Sequence, residues 1–368
     1  MKGKFFFMKI IHCSDLHLDS KMSSNLDSIK AKERRDEILI TYQNMIKYAA
    51  ENYVKVIMIA GDLFDKKNIT KKARNIVLDS IVSNPNIDFL ILKGNHDEGV
   101  FTEIENLPEN LKLFNNEEWT TYRYKNVTIS GIEFGKLNNY EIYNTLILDK
   151  SNINIVLMHG QESKYEQKDK TEIINIQELK NKNIDYLALG HIHKYKKEKI
   201  DNRGIYCYSG CLEGRGFDEC GEKGFVLLEI DEENKKIESN FIKFASRRMY
   251  EIEIDITNIN STLEIEKKID EVIKNINTNN LIKIILIGNV ELESERNINY
   301  LEKKYKNMYY FAKIYDETKL KIDYMSYEKD ESLKGEFIRL VLSQNLNEKE
   351  KKEIITTGIK ALSGEEVD

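Results

Sequence analysis

The six histidines of this chain, at 12, 17, 96, 159, 191 and 193, are the side chains best suited to chemistry, and they do not scatter. Each lies at or just past the end of an apolar, strand-like run, usually beside a glycine. Carboxylates and an amide occupy the same positions: Asp15 with His17, Gly61-Asp62, Gly94-Asn95, His159-Gly160 and Gly190-His191-Ile192-His193. Imidazole, carboxylate and amide oxygen together form a donor set for hard to borderline divalent ions. Strand ends of an α/β domain bring such donors together from distant parts of the chain. Gly61, Gly94, Gly160 and Gly190 each adjoin a candidate ligand, where a residue without Cβ allows a tight turn and close approach of the backbone. A single junction of this kind occurs in many folds; four in this order point to one site.

The elements that must position these residues are legible in the hydrophobic pattern. An opening strand leads into Asp15, and the residues Ile38, Tyr42, Met45, Ile46 and Ala49 form one apolar stripe of a helix over 35–51. A buried strand over 54–60 ends in Gly61-Asp62-Leu63-Phe64-Asp65. A second helix over 70–82 has Thr70 as N-cap and Ala73, Ile76 and Val77 on one face. A strand over 89–92 ends in Gly94-Asn95-His96-Asp97, so the first hundred residues read as βαβαβ. From 119 to 134 strands follow without helices. Strands over 154–158 and 186–189 lead to the last three histidines, with a helix expected over 173–182 between them, and 205–245 reads as β hairpins. The expectation is an α/β (α+β) fold: a two-sheet sandwich flanked by helices over 1–245.

A smaller α+β domain is expected over 246–325 and a helical tail over 326–368. The first has an amphipathic helix over 263–276 through Ile265, Ile269, Val272, Ile273 and Ile276. The tail carries Leu333, Phe337, Leu340 and Val341 on one helix and Ile355, Ile359 and Leu362 on another, with Gly364 as its stop.

The boxes Asp-x-His, Gly-Asp-x-x-Asp, Gly-Asn-His-Asp, Met-His-Gly and Gly-His-x-His together resemble the calcineurin-like metallophosphoesterase superfamily. Within it, 12–20 and Gly61-Asp62-Leu63-Phe64-Asp65 resemble the SbcD-type DNA repair nucleases, and among these the YhaO-like branch; Tyr208-Ser209-Gly210-Cys211-Leu212-Glu213 fits the same family. The resemblance covers about 8–245 and rests on element order alone beyond that. It implies one metal on Asp15, His17 and His193 and another on Asn95, His159 and His191, with Asp62 bridging. Two ions ~3.5–4 Å apart clamp a phosphate and lower the pKa of a water for in-line attack, and the family prefers manganese. It further implies that His96 contacts the phosphate and helps protonate the leaving oxygen, with Asp97 orienting its imidazole. His12, of opposite strand parity to Asp15, is expected to pack or support rather than ligate. Asp19 and Asp65 are either partners of ligands or loop caps.

Composition sets the limits. The chain has 368 residues, 41% hydrophobic and 32% charged, with a net charge of −6, which makes no general case for nucleic acid or membrane. Lys194, Lys196 and Lys197 follow the last histidines and are candidates for tracking a phosphate backbone, or equally a solvated hairpin face. Cys207 and Cys211 resemble half of a zinc site without its other half, so the four cysteines are expected as free thiols of a cytoplasmic protein. Phe5-Phe6-Phe7 is too short for a signal peptide, and no run reaches the ~20 apolar residues of a membrane span. The expected function is a DNA exo- or endonuclease subunit of an SbcCD-like complex. The family implies an SMC-like ATPase partner of the SbcC/YhaN type, a capping role for 246–325, and a homodimer through the first two helices. The rivals are a phosphodiesterase for small molecules or cyclic nucleotides on the same core, and a non-catalytic scaffold for the ATPase.

Overall fold

Strands covered on both faces have no solvent side to alternate with, so they read as unbroken apolar runs, and these runs build the centre of the protein. The computed structural model describes residues 7–22, 26–65, 69–94, 107–134, 139–163, 172–291, 294–321, 327 and 330–362. In chain order the first unit contains β1 (Met8–Cys13), α1 (Ser28–Glu51), β2 (Val56–Ala60), α2 (Lys71–Val82), β3 (Asp88–Leu92) and β4 (Leu111–Leu113). There follow β5 (Thr120–Tyr124), β6 (Val127–Gly131), α3 (Asn139–Thr145), β7 (Ile153–His159), β8 (Gln161–Ser163), β9 (Ile173–Asn175) and β10 (Tyr186–Gly190). It closes with β11 (Lys196–Lys199), β12 (Ile205–Tyr208), β13 (Gly224–Asp231) and β14 (Lys236–Lys243).

Twelve of these strands form two six-stranded sheets, β14-β13-β1-β2-β3-β4 and β11-β12-β10-β7-β6-β5, and β8 pairs with β9. Strands β1 to β4 are parallel, as are β6, β7, β10 and β12, and antiparallel hairpins finish every edge except that of β4. Ile10, Met58 and Leu90 of one sheet share a core with Ile129, Leu157 and Ala188 of the other, so the sheets pack face to face. On the outer face of the first sheet, Ile11, Ile57 and Phe89 pack with Ile38, Tyr42 and Met45 of α1 and Val77 of α2. On the other side Val156, Leu187 and Tyr206 pack with Ile142 of α3. The layering is helix, sheet, sheet, helix, the mixed α/β sandwich that the sequence predicts.

Differences from expectation have local causes. Helix α1 begins two turns earlier than the helix expected over 35–51, because Asp27 caps it by accepting from the Ile29 and Lys30 N–H groups. The helix expected over 173–182 is absent. Ile173–Asn175 pairs in parallel with β8, the Asn175 side chain accepts from the Gln177 N–H, and Asn181 and Asn183 adopt positive φ, so turns replace helix. Helix α3 was not expected; its seven residues are too few to show a period.

The chain divides into two compact units, Met1–Met249 and Tyr250–Asp368. In the second, β15 (Met249–Asp255), β16 (Leu281–Ile287) and β18 (Phe311–Asp316) form a three-stranded sheet, and β17 (Asn289–Glu291) pairs with β19 (Lys319–Lys321). Helices α4 (Thr262–Ile273) and α5 (Ile298–Met308) pack Ile265, Ile269, Leu301 and Tyr305 against Ile282, Ile284 and Ile314 of that sheet. Val272, assigned to the stripe from sequence, is instead exposed. Helices α6 (Leu333–Leu342) and α7 (Glu348–Leu362) bury Ile338, Val341, Ile355 and Ile359. Leu333, Leu340 and Leu362 of the expected stripes are exposed, and Gly364 lies outside the described residues. No helix among the described residues is long and apolar enough to cross a membrane.

Candidate metal centre

The ends of β1, β2, β7 and β10 meet at one point. Beyond β1 and β2 the backbone stays in register: Asp15 N–H donates to Gly61 O at 3.0 Å, His17 N–H to Asp62 O at 3.0 Å, and Leu18 N–H to Leu63 O at 2.9 Å. This ladder fixes Asp15 and His17 beside Asp62. All three residues, and His191, have positive φ (51°, 42°, 52° and 98°), a region that costs a non-glycine residue about 1–3 kcal/mol. From the second sheet, β7 and β10 pair His159 with Gly190, which delivers His159, His191 and His193 to the same place. Two glycines are obligatory for the approach. A Cβ on Gly61 would lie 2.1 Å from His159 Nδ1, and one on Gly190 would lie 1.9 Å from the Ala60 carbonyl oxygen.

Two donor groups result, each with its ligand atoms within 4.8 Å of one another: Asp15, His17 and His193, and Asp15, Asp62 and His159. Asp62 Oδ2 lies 3.7 Å from His17 Nε2 and 3.5 Å from His159 Nε2, while Asp15 is the residue common to both groups. The His191 ring stands edge-on to that of His159 at 5.4 Å between centroids, with its Nδ1 3.9 Å from Glu172 Oε2. The predicted residues Asn95, His96 and Asp97 lie outside the described residues.

The donor set fits divalent cations. His159 Nδ1 is 2.9 Å from the Ala60 carbonyl, so it carries the proton and leaves Nε2 with a lone pair. That Nε2 is buried without a hydrogen-bond partner and faces the Asp62 carboxylate, an arrangement that is repulsive unless a cation stands between them. His193 is set in the same way, its Nδ1 2.6 Å from Glu219 Oε1, leaving Nε2 directed at Asp15 Oδ1 3.8 Å away. The Asp15 carboxylate is itself held, accepting from Ser14 Oγ at 2.5 Å and from the His191 N–H at 2.9 Å.

Burial pushes His17 below its usual pKa, partly offset by Asp65, while the Arg215 guanidinium adds to the lowering. Burial acts the same way on His193, but the hydrogen bond to Glu219 and the charges of Asp15 and Glu219 outweigh it and raise that imidazole. Glu219 is the converse: burial favours its neutral form, yet His193 and Arg215 hold it well below the usual carboxylate range.

The surrounding residues sort themselves. His12 is fully buried between the sheets, with Nδ1 2.9 Å from the Tyr186 hydroxyl of the opposite sheet, and does not reach the donors. Asp65 Oδ1 stands 3.4 Å from His17 Nδ1, whereas Asp19 accepts from the Thr70 N–H at 2.8 Å as a loop cap. Lys194 is exposed. Lys196 pairs with Glu162 and, at 3.3 Å, with Glu198; Lys197 Nζ donates to the Ser239 carbonyl at 3.2 Å. All four cysteines are free thiols. Sequence reasoning missed Arg215 and Glu219, whose only signal is a pair of charges in a glycine-rich loop after the last histidine.

Residues 8–195, just over half of the chain, match the family model described as calcineurin-like phosphoesterase. A curated relative, the metallophosphoesterase YhaO of Bacillus subtilis, is 28% identical over 237 residues, covering 61% of this chain and 57% of its own. The match thus spans little more than half of that relative's length. The DNA double-strand break repair protein Mre11 of Sulfolobus acidocaldarius is 24% identical over 313 residues, 78% of this chain and 77% of its own. Among solved structures, TT1561 of Thermus thermophilus superposes with a TM-score of 0.42 at 14% identity, covering 64% of this chain and 99% of that one. With strand ends, donor atoms and family model coinciding on the same stretch, the chain belongs to the calcineurin-like phosphoesterase family.

Proposed function

We propose that this chain is a two-metal phosphodiesterase acting on DNA, the nuclease subunit of an SbcCD-like repair complex. The observation that carries the reading is Asp62 Oδ2, set between His17 Nε2 and His159 Nε2 where two donor groups adjoin. A carboxylate so placed is what two closely spaced cations require. The choice of DNA is supported by the relatives named as double-strand break repair proteins, aligned over most of this chain, and by the boxes at 12–20 and 61–65.

In this reading Asp15, His17 and His193 hold one ion, and Asn95, His159 and His191 the other, with Asp62 shared. Divalent ions bound there, manganese in this proposal, neutralise phosphate charge and supply a nucleophilic water near neutral pH. The chain's own contribution is orientation. Ala60 and Glu219 fix the tautomers of His159 and His193, and the His191 N–H and Ser14 hydroxyl fix the Asp15 carboxylate. His96, by resemblance, contacts the phosphate and moves a proton to the leaving oxygen, oriented by Asp97. Lys194 is exposed one residue after His193 and is the first candidate of the three lysines for a DNA phosphate, since Lys196 and Lys197 already have protein partners. By resemblance, residues 246–325 would have a capping role, the tail over 326–368 would meet an SMC-like ATPase, and α1 and α2 would form a homodimer contact.

The test is manganese-dependent cleavage of defined single- and double-stranded DNA beside a cyclic dinucleotide, comparing wild type with His96→Asn. Cleavage of DNA lost in the variant supports the proposal. Hydrolysis of the cyclic dinucleotide alone would replace it with the small-molecule reading, and undiminished cleavage in His96→Asn would point to a contaminant and a scaffold.

A further inference from the structure

The loop after β12 carries a device that the ligand set leaves unexplained. Arg215 Nη1 donates to Asp65 Oδ1 at 3.0 Å, and Nη2 to Glu219 Oε1 at 2.8 Å. The Arg215 N–H also donates to the other oxygen of Glu219 at 2.8 Å. Each of those carboxylates stands behind a different imidazole: Asp65 Oδ1 is 3.4 Å from His17 Nδ1, and Glu219 Oε1 is 2.6 Å from His193 Nδ1. On their far sides the two imidazoles meet, with His17 Nε2 3.1 Å from His193 Nε2. Five side chains therefore close a ring: His17, Asp65, Arg215, Glu219 and His193. Glu219 is 5% exposed, so its charge is not left to solvent.

We infer that Arg215 and Glu219 are positioning residues for one of the two metal sites, with the Arg215 guanidinium setting the separation of the His17 and His193 nitrogens. The inference rests on the metal-centre reading given above. Its physical basis is that a planar guanidinium can serve two carboxylates at fixed angles, each of which then fixes the tautomer and rotation of its imidazole. Lysine offers the charge without the fork. Both imidazoles of the ring, His17 and His193, belong to the donor group that lacks His159, so its effect falls first on that site, with Asp15 common to both groups.

The experiment is calorimetric titration of manganese into the metal-free full-length chain, without substrate, for wild type, Arg215→Met, Arg215→Lys and Glu219→Gln. Wild type should take up two equivalents in two steps. In Arg215→Met one step should weaken about 10–100-fold and the other stay unchanged. Arg215→Lys should recover little of the loss, and Glu219→Gln, which keeps volume and an acceptor, should give a smaller loss in the same step. Thermal unfolding of the metal-free proteins separates positioning from bulk stability. A lowered melting temperature with both binding steps unchanged would overturn the inference, as would equal weakening of both steps. If Arg215→Met does not fold, Glu219→Gln reads the same step. Absence of any manganese uptake by wild type would instead sink the metal-centre reading itself.

Discussion

His17 Nε2 and His193 Nε2 lie 3.1 Å apart although 176 residues separate them in sequence. With His193 Nδ1 held by Glu219, its Nε2 faces the group formed by His17 and Asp15. In the two-metal proposal these two imidazoles are a ligand pair. Replacing His193 by alanine should remove one of two manganese equivalents and lower kcat for phosphodiester hydrolysis at least 100-fold, with a folded protein by circular dichroism. Retention of both equivalents would remove His193 from the ligand set.

His12 yields a pH prediction. Burial, opposed in part by the Leu189 backbone, pushes its pKa down to about 3. A histidine kept neutral in the fold stabilises fully above the unfolded value near 6.5. That contribution is lost as pH falls from 6.5 towards 3, because only the unfolded chain takes up the proton there. The slope is about 1.4 kcal/mol per pH unit. Urea unfolding in chelator should show wild type losing about 1 kcal/mol more than His12→Asn between pH 7 and 5.5. Equal losses would mean that His12 is not buried neutral.

How far the sequence led follows from the same residues. Asp15, His17, Asp62, His159, His191 and His193 were legible because a buried parallel strand is an unbroken apolar run, and whatever ends it stands at the sheet edge. Glu219 and Arg215 carried no comparable mark. Apart from their own pairing four residues apart, their partners lie 26 and 150 residues away, and a charge in a polar loop looks the same whether it faces water or an imidazole. The positive φ of Asp15, His17 and Asp62 was equally hidden, since most Asp and His residues have negative φ and the ladder between 15–18 and 61–63 accompanies the exception. The turns over 176–183 lost to a helical pattern because apolar residues recurring at three and four positions also suit a coil packed against a sheet.

The loop bearing Arg215 and Glu219 is itself anchored by a buried ion pair. Arg34 of α1 is fully buried, donating to Glu213 Oε2 at 3.1 Å and to the Gly214 carbonyl at 2.9 Å, while Thr41 Oγ1 donates to Glu213 Oε1 at 2.7 Å. Removing one partner strands the other charge. Arg34→Met should therefore cost about 3–5 kcal/mol in chemical denaturation. A loss below 1 kcal/mol would show that Glu213 is neutralised or hydrated in some other way.

The central claim, a paired-metal centre that hydrolyses DNA, is tested most directly by the rate of DNA cleavage against bound manganese. Metal-free protein would be titrated in parallel for wild type and Asp62→Ala. The account predicts little cleavage at the first equivalent, a steep rise with the second, and at least a 100-fold lower plateau in Asp62→Ala. A rate that saturates at one equivalent, or that survives in Asp62→Ala, would contradict it.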